Sequence, residues 1–191
     1  GPGLASSGSF LHRTISLLSD GSGYFYQPDR LHVQRAAENL GLSSAKPVKA
    51  PMVKDGGLRL GNALDELPQG EKKLYMAETG RMIYYSLDRY DIMYCVRQLA
   101  EMLSKLRVLD RLRLKHLVKY LLGTMEYCWC FYWQDQQKAF IGFPDSDWAE
   151  DPVTRKSVSS GDIQLGRHTI EDWVSGQQVV ALSSGEVEFY S

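Results

Sequence analysis

Two short carboxylate clusters, each beside an apolar, strand-like run, constrain this chain more than any other feature. Asp145 and Asp147 lie within Phe143-Pro144-Asp145-Ser146-Asp147-Trp148-Ala149. Glu186 and Glu188 lie within Val180-Ala181-Leu182-Ser183-Ser184-Gly185-Glu186-Val187-Glu188-Phe189-Tyr190. A fold that brings strand ends and helix starts together would gather these oxygens around a hard cation. Mg²⁺ binds through carboxylate oxygen and keeps positions open for substrate phosphate. If the first run is a strand as far as Asp147, both aspartates share a face; in a turn they need not. The plainer alternative is a solvated acidic turn with Trp148 packed beneath it.

At 191 residues the chain is long enough to bury a core as one domain or two small ones. Apolar residues make up 43% and charged residues 24%, the balance of a globular protein. No stretch approaches the roughly 20 apolar residues of a membrane span, so a membrane partner is not expected. Cys95, Cys128 and Cys130 have no framework spacing, which favours a reducing, intracellular compartment, cytoplasmic or nuclear. The net charge of −1 excludes a generally basic nucleic-acid binder, so phosphate contacts would need local clustering. Residues 1–8, rich in Gly and Ser, are expected to form a disordered lead-in.

Phe10 to Ser19 and Tyr24 to Gln27 read as strands around the turn Ser19-Asp20-Gly21-Ser22-Gly23. Asp29 is the expected N-cap of a helix with Val33, Ala36, Ala37 and Leu40 on one face, stopped at Gly41. The Gly-rich segment Asp55 to Gly70 reads as a linker. Helices are expected near Glu71 to Ser86, Asp88 to Ser104 and Asp110 to Leu122. The second carries the stripe Ile92, Val96, Leu99 and Leu103, the third the stripe Leu114, Leu117, Val118 and Leu121. Tyr127 to Trp133, Ala139 to Phe143, Ile163 to Leu165, Thr169-Ile170 and Val179 to Leu182 read as strands. Arg111, Lys115 and Lys119 recur at i, i+4 and i+8 with Arg113 and His116 nearby. That stripe could follow a phosphate backbone, against the alternative of a solvated helix face. Arg155 and Lys156 form a second phosphate candidate just after the acidic run. Cys128-Trp129-Cys130 lacks zinc-site spacing and reads as structural.

The order of these blocks resembles the copia-type retrotransposon Pol polyprotein. Gly142 to Ala149, Thr154 to Ser157, Trp173 with Gln177, and Ala181 to Tyr190 match its ribonuclease H blocks in sequence order. Phe10 to Thr14, Pro28 to Val33, Leu40 to Leu42, Ala45 to Val48 and Pro51 resemble the end of the reverse transcriptase region. Tyr75, Gly80, Tyr85, Asp88 to Ile92, Leu114 to His116 and Tyr120 to Thr124 resemble the next block. The polymerase hairpin Tyr-x-Asp-Asp occurs nowhere in the chain.

The resemblance implies an α/β protein: a helical connection region beside an incomplete ribonuclease H-like mixed sheet. The segments expected are 9–60 as the reverse transcriptase end, 61–125 as the connection, and 126–191 as a partial ribonuclease H-like domain. It implies Asp145 as metal ligand on the first strand of that domain and Glu188 on its first helix, both catalytic. Glu186 is the rival ligand, or else an early-turn acid beside an N-cap at Ser183 or Ser184. The implied cofactor is Mg²⁺, as a two-ion site in the family. The implied partners are an RNA–DNA hybrid and the remainder of the Pol polyprotein. Two further family carboxylates would lie past Ser191, so the expectation for this chain is little or no cleavage. Tyr90, Met76, Glu150, Asp172 and Gly176 depart from the family pattern, as in a copy under relaxed constraint. The reading from a different class is a catalytically inactive nucleic-acid-binding or structural remnant.

Overall fold

A computed structural model describes residues 6–53, 63–149, 155–178 and 180–189. The chain divides into two compact units, Gly1–Leu17 with Phe25–Trp129, and Leu18–Tyr24 with Cys130–Ser191. A run of strands, a run of helices, a second run of strands and a last helix follow along the described residues, and the α/β class expected from the sequence holds.

The strands β1 (Ser7–Phe10), β2 (Arg13–Leu17), β3 (Gly23–Gln27) and β4 (Trp129–Tyr132) follow the sheet order β1-β2-β3-β4. The single strand expected over Phe10 to Ser19 is therefore broken. Leu11 and His12 take positive φ values of 49° and 63° and turn the chain back, pairing Phe10 with Arg13 and Ser7 with Ser16. Gly and Asn are the usual occupants of such a tight turn, so its sequence carries no signal. Ser7 and Gly8, expected in the lead-in, are paired strand residues instead.

The helices α1 (Leu31–Asn39), α2 (Gln69–Ser86), α3 (Met93–Glu101) and α4 (Val108–Gly123) build the first unit. α1 starts two residues after Asp29, whose Oδ1 accepts the Leu31 N–H at 2.9 Å, although Arg30 holds the cap position. It stops where expected: Gly41 takes φ +67°, and the Leu42 N–H closes onto the Ala37 carbonyl at 2.7 Å. The helix expected over Asp88 to Ser104 resolves into α3 flanked by 3-10 turns at Tyr90–Ile92 and Met102–Ser104. Of the expected linker, residues 55–62 lie outside the described set. Its end is structured, with Leu67 in the core, its N–H on the Leu106 carbonyl, and Gln69 and Gly70 already in α2.

α4 begins with a capping box in which Asp110 Oδ2 accepts the Arg107 N–H at 2.9 Å. Its stripe Leu114, Leu117, Val118 and Leu121 is buried against Val33, Ala36 and Ala37 of α1, Tyr75, Met82 and Tyr85 of α2, and Val96 and Leu99 of α3. Several polar groups inside are paired locally, while the Thr79 and Tyr85 hydroxyls have no hydrogen-bond partner among the described residues. Glu78 accepts from Asn39 Nδ2 at 2.6 Å and Arg81 Nε at 2.9 Å, and the Tyr75 hydroxyl donates to the Leu99 carbonyl at 2.9 Å.

The second unit is built on β5 (Phe140–Asp147), β6 (Val158–Leu165) and β7 (His168–Gly176), an antiparallel sheet in that order. The short helix α5 (Ser184–Phe189) packs against β5. Gly161 of β6 is required: a Cβ there would come within 2.6 Å of the Trp173 ring, which lies across it from β7. The strand expected over Val179 to Leu182 is absent where it is described. Val180 to Leu182 runs without strand pairing into α5, and Leu182 is 86% exposed.

Candidate functional site

β5 extends through Asp147, so Asp145 and Asp147 do share a face of the strand. The register sets Asp145 opposite Ser160 and Asp147 opposite Val158. Ile141 and Phe143 line the same face, and both are half-exposed, as the two aspartates are exposed.

The other face of the sheet receives α5, although buried Val158 lies opposite Asp147 on the first face. Ser146, opposite Ser159, and Pro144, opposite Gly161 and hence Trp173, belong to the face that receives α5. Gln177 fastens α5 on that face: its Nε2 donates to Ser159 Oγ at 2.9 Å and to the Val187 carbonyl at 3.0 Å. The Gln177 N–H continues the β6–β7 ladder to the Ser157 carbonyl at 2.8 Å. Trp148 Nε1 donates to the Ala181 carbonyl at 3.1 Å, holding the approach to the helix. Trp173 and Gln177, the paired residues of the resemblance, are thus structural here.

The two glutamates of α5 do different work. The Leu182 N–H donates to Glu186 Oε2 at 2.7 Å, and the Glu186 N–H donates to Ser183 Oγ at 3.2 Å. Ser183 caps the helix, and Glu186 reaches back to the Leu182 N–H just before it, which occupies Glu186 at the helix start. Glu188 follows buried Val187 and is exposed. Asp145 and Glu188 therefore stand on elements that touch but on opposite sides of the sheet, and among the described residues no hydrogen bond or shared cation partner joins them. Among the described residues no group of three His, Cys, Asp or Glu side chains is assembled for a metal ion.

The basic candidates separate in the same way. Arg111 is ion-paired with Glu71, and Arg113 reaches Asp110 at 3.3 Å. His116 Nε2 lies 3.0 Å from the Ala50 carbonyl, while Lys115 and Lys119 are half-buried against the helical unit. The stripe is therefore part of the packing between α4 and its neighbours, with one of its three cations already neutralised. Arg155 and Lys156 are exposed, and the Arg155 guanidinium lies 5.5 Å from the Trp148 ring centre.

Asp172 was singled out in the sequence only as a departure from a pattern. On the sheet it sits directly opposite Asp162, and its Oδ1 is buried without a hydrogen-bond partner among the described residues. Burial first, and then the charges of Asp162 and Glu171, push its carboxyl above the ordinary aspartate value.

No protein-family model matches the chain. No solved structure matches it either. An uncharacterized mitochondrial protein of Arabidopsis thaliana is 25% identical over 175 residues, spanning 92% of this chain and 70% of that protein. The retrovirus-related Pol polyprotein from transposon TNT 1-94 of Nicotiana tabacum is 29% identical over 165 residues. That alignment spans 83% of this chain and 12% of the polyprotein. The similarity supports a fragment of a retroelement polyprotein, with the rest of such a polyprotein as its context.

Proposed function

We propose that the chain is a piece of a copia-type Pol polyprotein joining the end of a reverse transcriptase to the start of a ribonuclease H domain. On this reading residues 9–60 and 61–125 are the reverse transcriptase end and connection, and 126–191 the partial nuclease domain. The observation that carries it is the order of elements in the second unit. A strand bearing Asp145 is followed by two antiparallel neighbours, and then by a helix that packs back on the first strand and bears Glu188. The resemblance implies that order: leading aspartate on the first strand, glutamate on the first helix.

The donors suit a hard cation, being carboxylate oxygens open to solvent. By the resemblance Asp145 and Glu188 would hold Mg²⁺, with Glu186 kept at the helix cap, but α5 is fastened on the sheet face opposite Asp145, and that arrangement does not fit a shared ion. When bound, the ion would polarise phosphodiester oxygens and activate water. The chain's own contribution is placement: β5 sets Asp145 on one face of the sheet, and the Gln177 bridge holds the helix that carries Glu188 on the other. Arg155 and Lys156 are the exposed cations beside the acidic strand, with Lys115 and Lys119 of the α4 stripe more enclosed.

The test is cleavage of the RNA strand of an RNA–DNA hybrid in Mg²⁺. The expected result is little or no cleavage by this chain. A longer polypeptide continuing past Ser191 to an Asp-Asn-x-Ser/Ala block should cleave, and lose that activity on Asp145→Asn. Cleavage by the longer polypeptide that survives Asp145→Asn would refute the assignment. A second reading, a catalytically inactive remnant, is favoured by one observation: no trio of metal-binding side chains is gathered among the described residues. It predicts that the longer polypeptide binds hybrid and never cleaves it.

A further inference from the structure

The first unit contains a cavity of about 480 Å³ that the nuclease reading does not use. It lies where the Asp88–Asp91 turn meets the chain leaving α4, and Tyr90, Tyr120, Tyr127 and Trp129 give it aromatic walls. Its volume is in the range of small-ligand pockets. Three carboxylates, Asp88, Asp91 and Glu126, also line it, and each is already paired with an arginine. Asp88 takes Arg13 Nε at 2.8 Å and the Tyr26 hydroxyl at 2.5 Å. Glu126 takes Arg30 Nη2 at 2.5 Å.

Asp91 takes Arg89 Nε and Nη2, each at 2.8 Å, and the Tyr120 hydroxyl at 2.8 Å. Burial pushes the Asp91 carboxyl up, and those hydrogen bonds more than offset it, so it stays below the ordinary aspartate value. Arg89, 4% exposed, spends its other donors on the Thr124 carbonyl and hydroxyl, each at 2.9 Å. The cavity thus offers no spare cation to a phosphate and no spare anion to an ammonium group.

What remains available is aromatic surface. Trp129 is anchored through Nε1 to the Asp88 carbonyl at 3.0 Å, and the Tyr90 ring lies 5.0 Å from it. The Arg89 guanidinium lies 5.1 Å from the Tyr127 ring, a cation–π contact that braces it. Tyr90 and Tyr127 are nevertheless 57% and 55% exposed. Two rings, each supported on one side and open to solvent, in a charge-compensated cavity, suit a neutral, flat partner held by stacking.

We infer that this cavity binds an unpaired nucleobase, stacked on Tyr90 and Tyr127. Choosing a base among neutral flat rings rests on the nucleic-acid reading above; the stacking cavity does not.

The experiment uses the full chain and two probes. Adenosine, which carries the ring without phosphate, is titrated by calorimetry. A fluorescein-labelled single-stranded oligonucleotide and its abasic counterpart are compared by anisotropy. Adenosine should bind, and Tyr90→Ala and Tyr127→Ala should each weaken it by roughly ten- to hundredfold, the loss expected for one stacking contact. The base-bearing strand should bind more tightly than the abasic strand, with the difference lost in the double variant.

Adenosine binding with no preference for the base-bearing strand supports the cavity assignment and counts against nucleic acid as the partner. Undetectable adenosine binding together with equal affinity for both strands overturns the inference, and leaves the cleavage test to judge the nuclease reading separately. Because both side chains are more than half exposed, circular dichroism of the variants should match the parent, and a match excludes unfolding as the cause of any loss.

Discussion

The two units of this molecule are held together by different means. In the helical unit, four helices bury a continuous apolar cluster from Val33 to Leu121, with Leu114, Val118, Leu121, Met82 and Ile92 fully enclosed. In the sheet unit the buried apolar side chains among the described residues are Val158, Ala181 and Val187. Beside them lie buried Ser157, Ser159 and Gln177, and β5 leaves Phe140, Ile141 and Phe143 at least half exposed. The first unit is closed by removal of apolar surface from water, the second mainly by its hydrogen-bonded ladders and one glutamine bridge. A nuclease centre assembled on the second unit would therefore stand on the weaker of the two frameworks.

The comparison is broken most directly in the helical core. Leu114→Ala removes a fully buried side chain from the α4 stripe and should cost about 2–5 kcal/mol. Denaturant unfolding followed by helical circular dichroism checks it. Three of the four tryptophans, Trp133, Trp148 and Trp173, lie in the sheet unit, so their fluorescence follows that unit. The helical signal should shift more than the fluorescence. An equal shift in both would mean the units unfold as one, and the contrast would fail.

Next in size is Gln177→Ala. It deletes the two Gln177 side-chain bonds that bridge Ser159 of the sheet and Val187 of α5, at about 1–3 kcal/mol. Here the fluorescence transition should move and the helical one should not. The same variant should weaken Mg²⁺ binding if Glu188 is a ligand, because the helix that carries it loses its anchor. Retained metal affinity with a destabilised sheet would assign the site to Asp145 and Asp147 alone.

Asp172→Asn should act in the opposite direction. A carboxyl whose folded value lies above the ordinary one binds its proton more tightly in the folded state. Its stabilising effect is complete below 3.8 and is lost as pH rises through the raised folded value. The amide removes that loss and the repulsion from Asp162, so the sheet should gain about 0.2–1 kcal/mol near neutral pH. The gain should vanish on acidification below 3.8. A gain independent of pH would locate the effect in packing rather than charge.

How much of this was legible in the sequence follows the same division. The α4 stripe and the Gly41 stop were readable because helical period and left-handed glycine are local signals. The capping role open to Glu186 was readable for the same reason, whereas the shared face of Asp145 and Asp147 depends on β5 reaching Asp147, which the apolar run Ala139 to Phe143 does not show. The Leu11-His12 turn was not, since no turn residue marks it. Val180 to Leu182 has strand composition without a strand partner, and composition cannot show pairing. The face of the sheet that receives α5 depends on register and on Gln177, neither of which is local. The aromatic cavity escaped notice because Tyr90 and Trp129 come from separate segments, and only folding brings their rings to 5.0 Å.

The smallest predicted effect is the sharpest test of the contrast. Phe143 sits on the same face as Asp145 and is 50% exposed, so Phe143→Ser removes a large apolar side chain that is only half withdrawn from water. If the sheet unit were built like the helical one, that change would approach the Leu114→Ala cost. Built as its burial pattern indicates, it should stay within about 0.5 kcal/mol, the usual size for a surface substitution. It should also raise solubility, since Ile141 and Phe143 together form an exposed apolar strip along β5. Fluorescence-monitored unfolding and the concentration at which the protein begins to scatter light measure the two halves of this prediction. A cost of several kcal/mol would show that the Asp145 face is covered in solution, and that the carboxylates beside Phe143 are less open than their exposure implies.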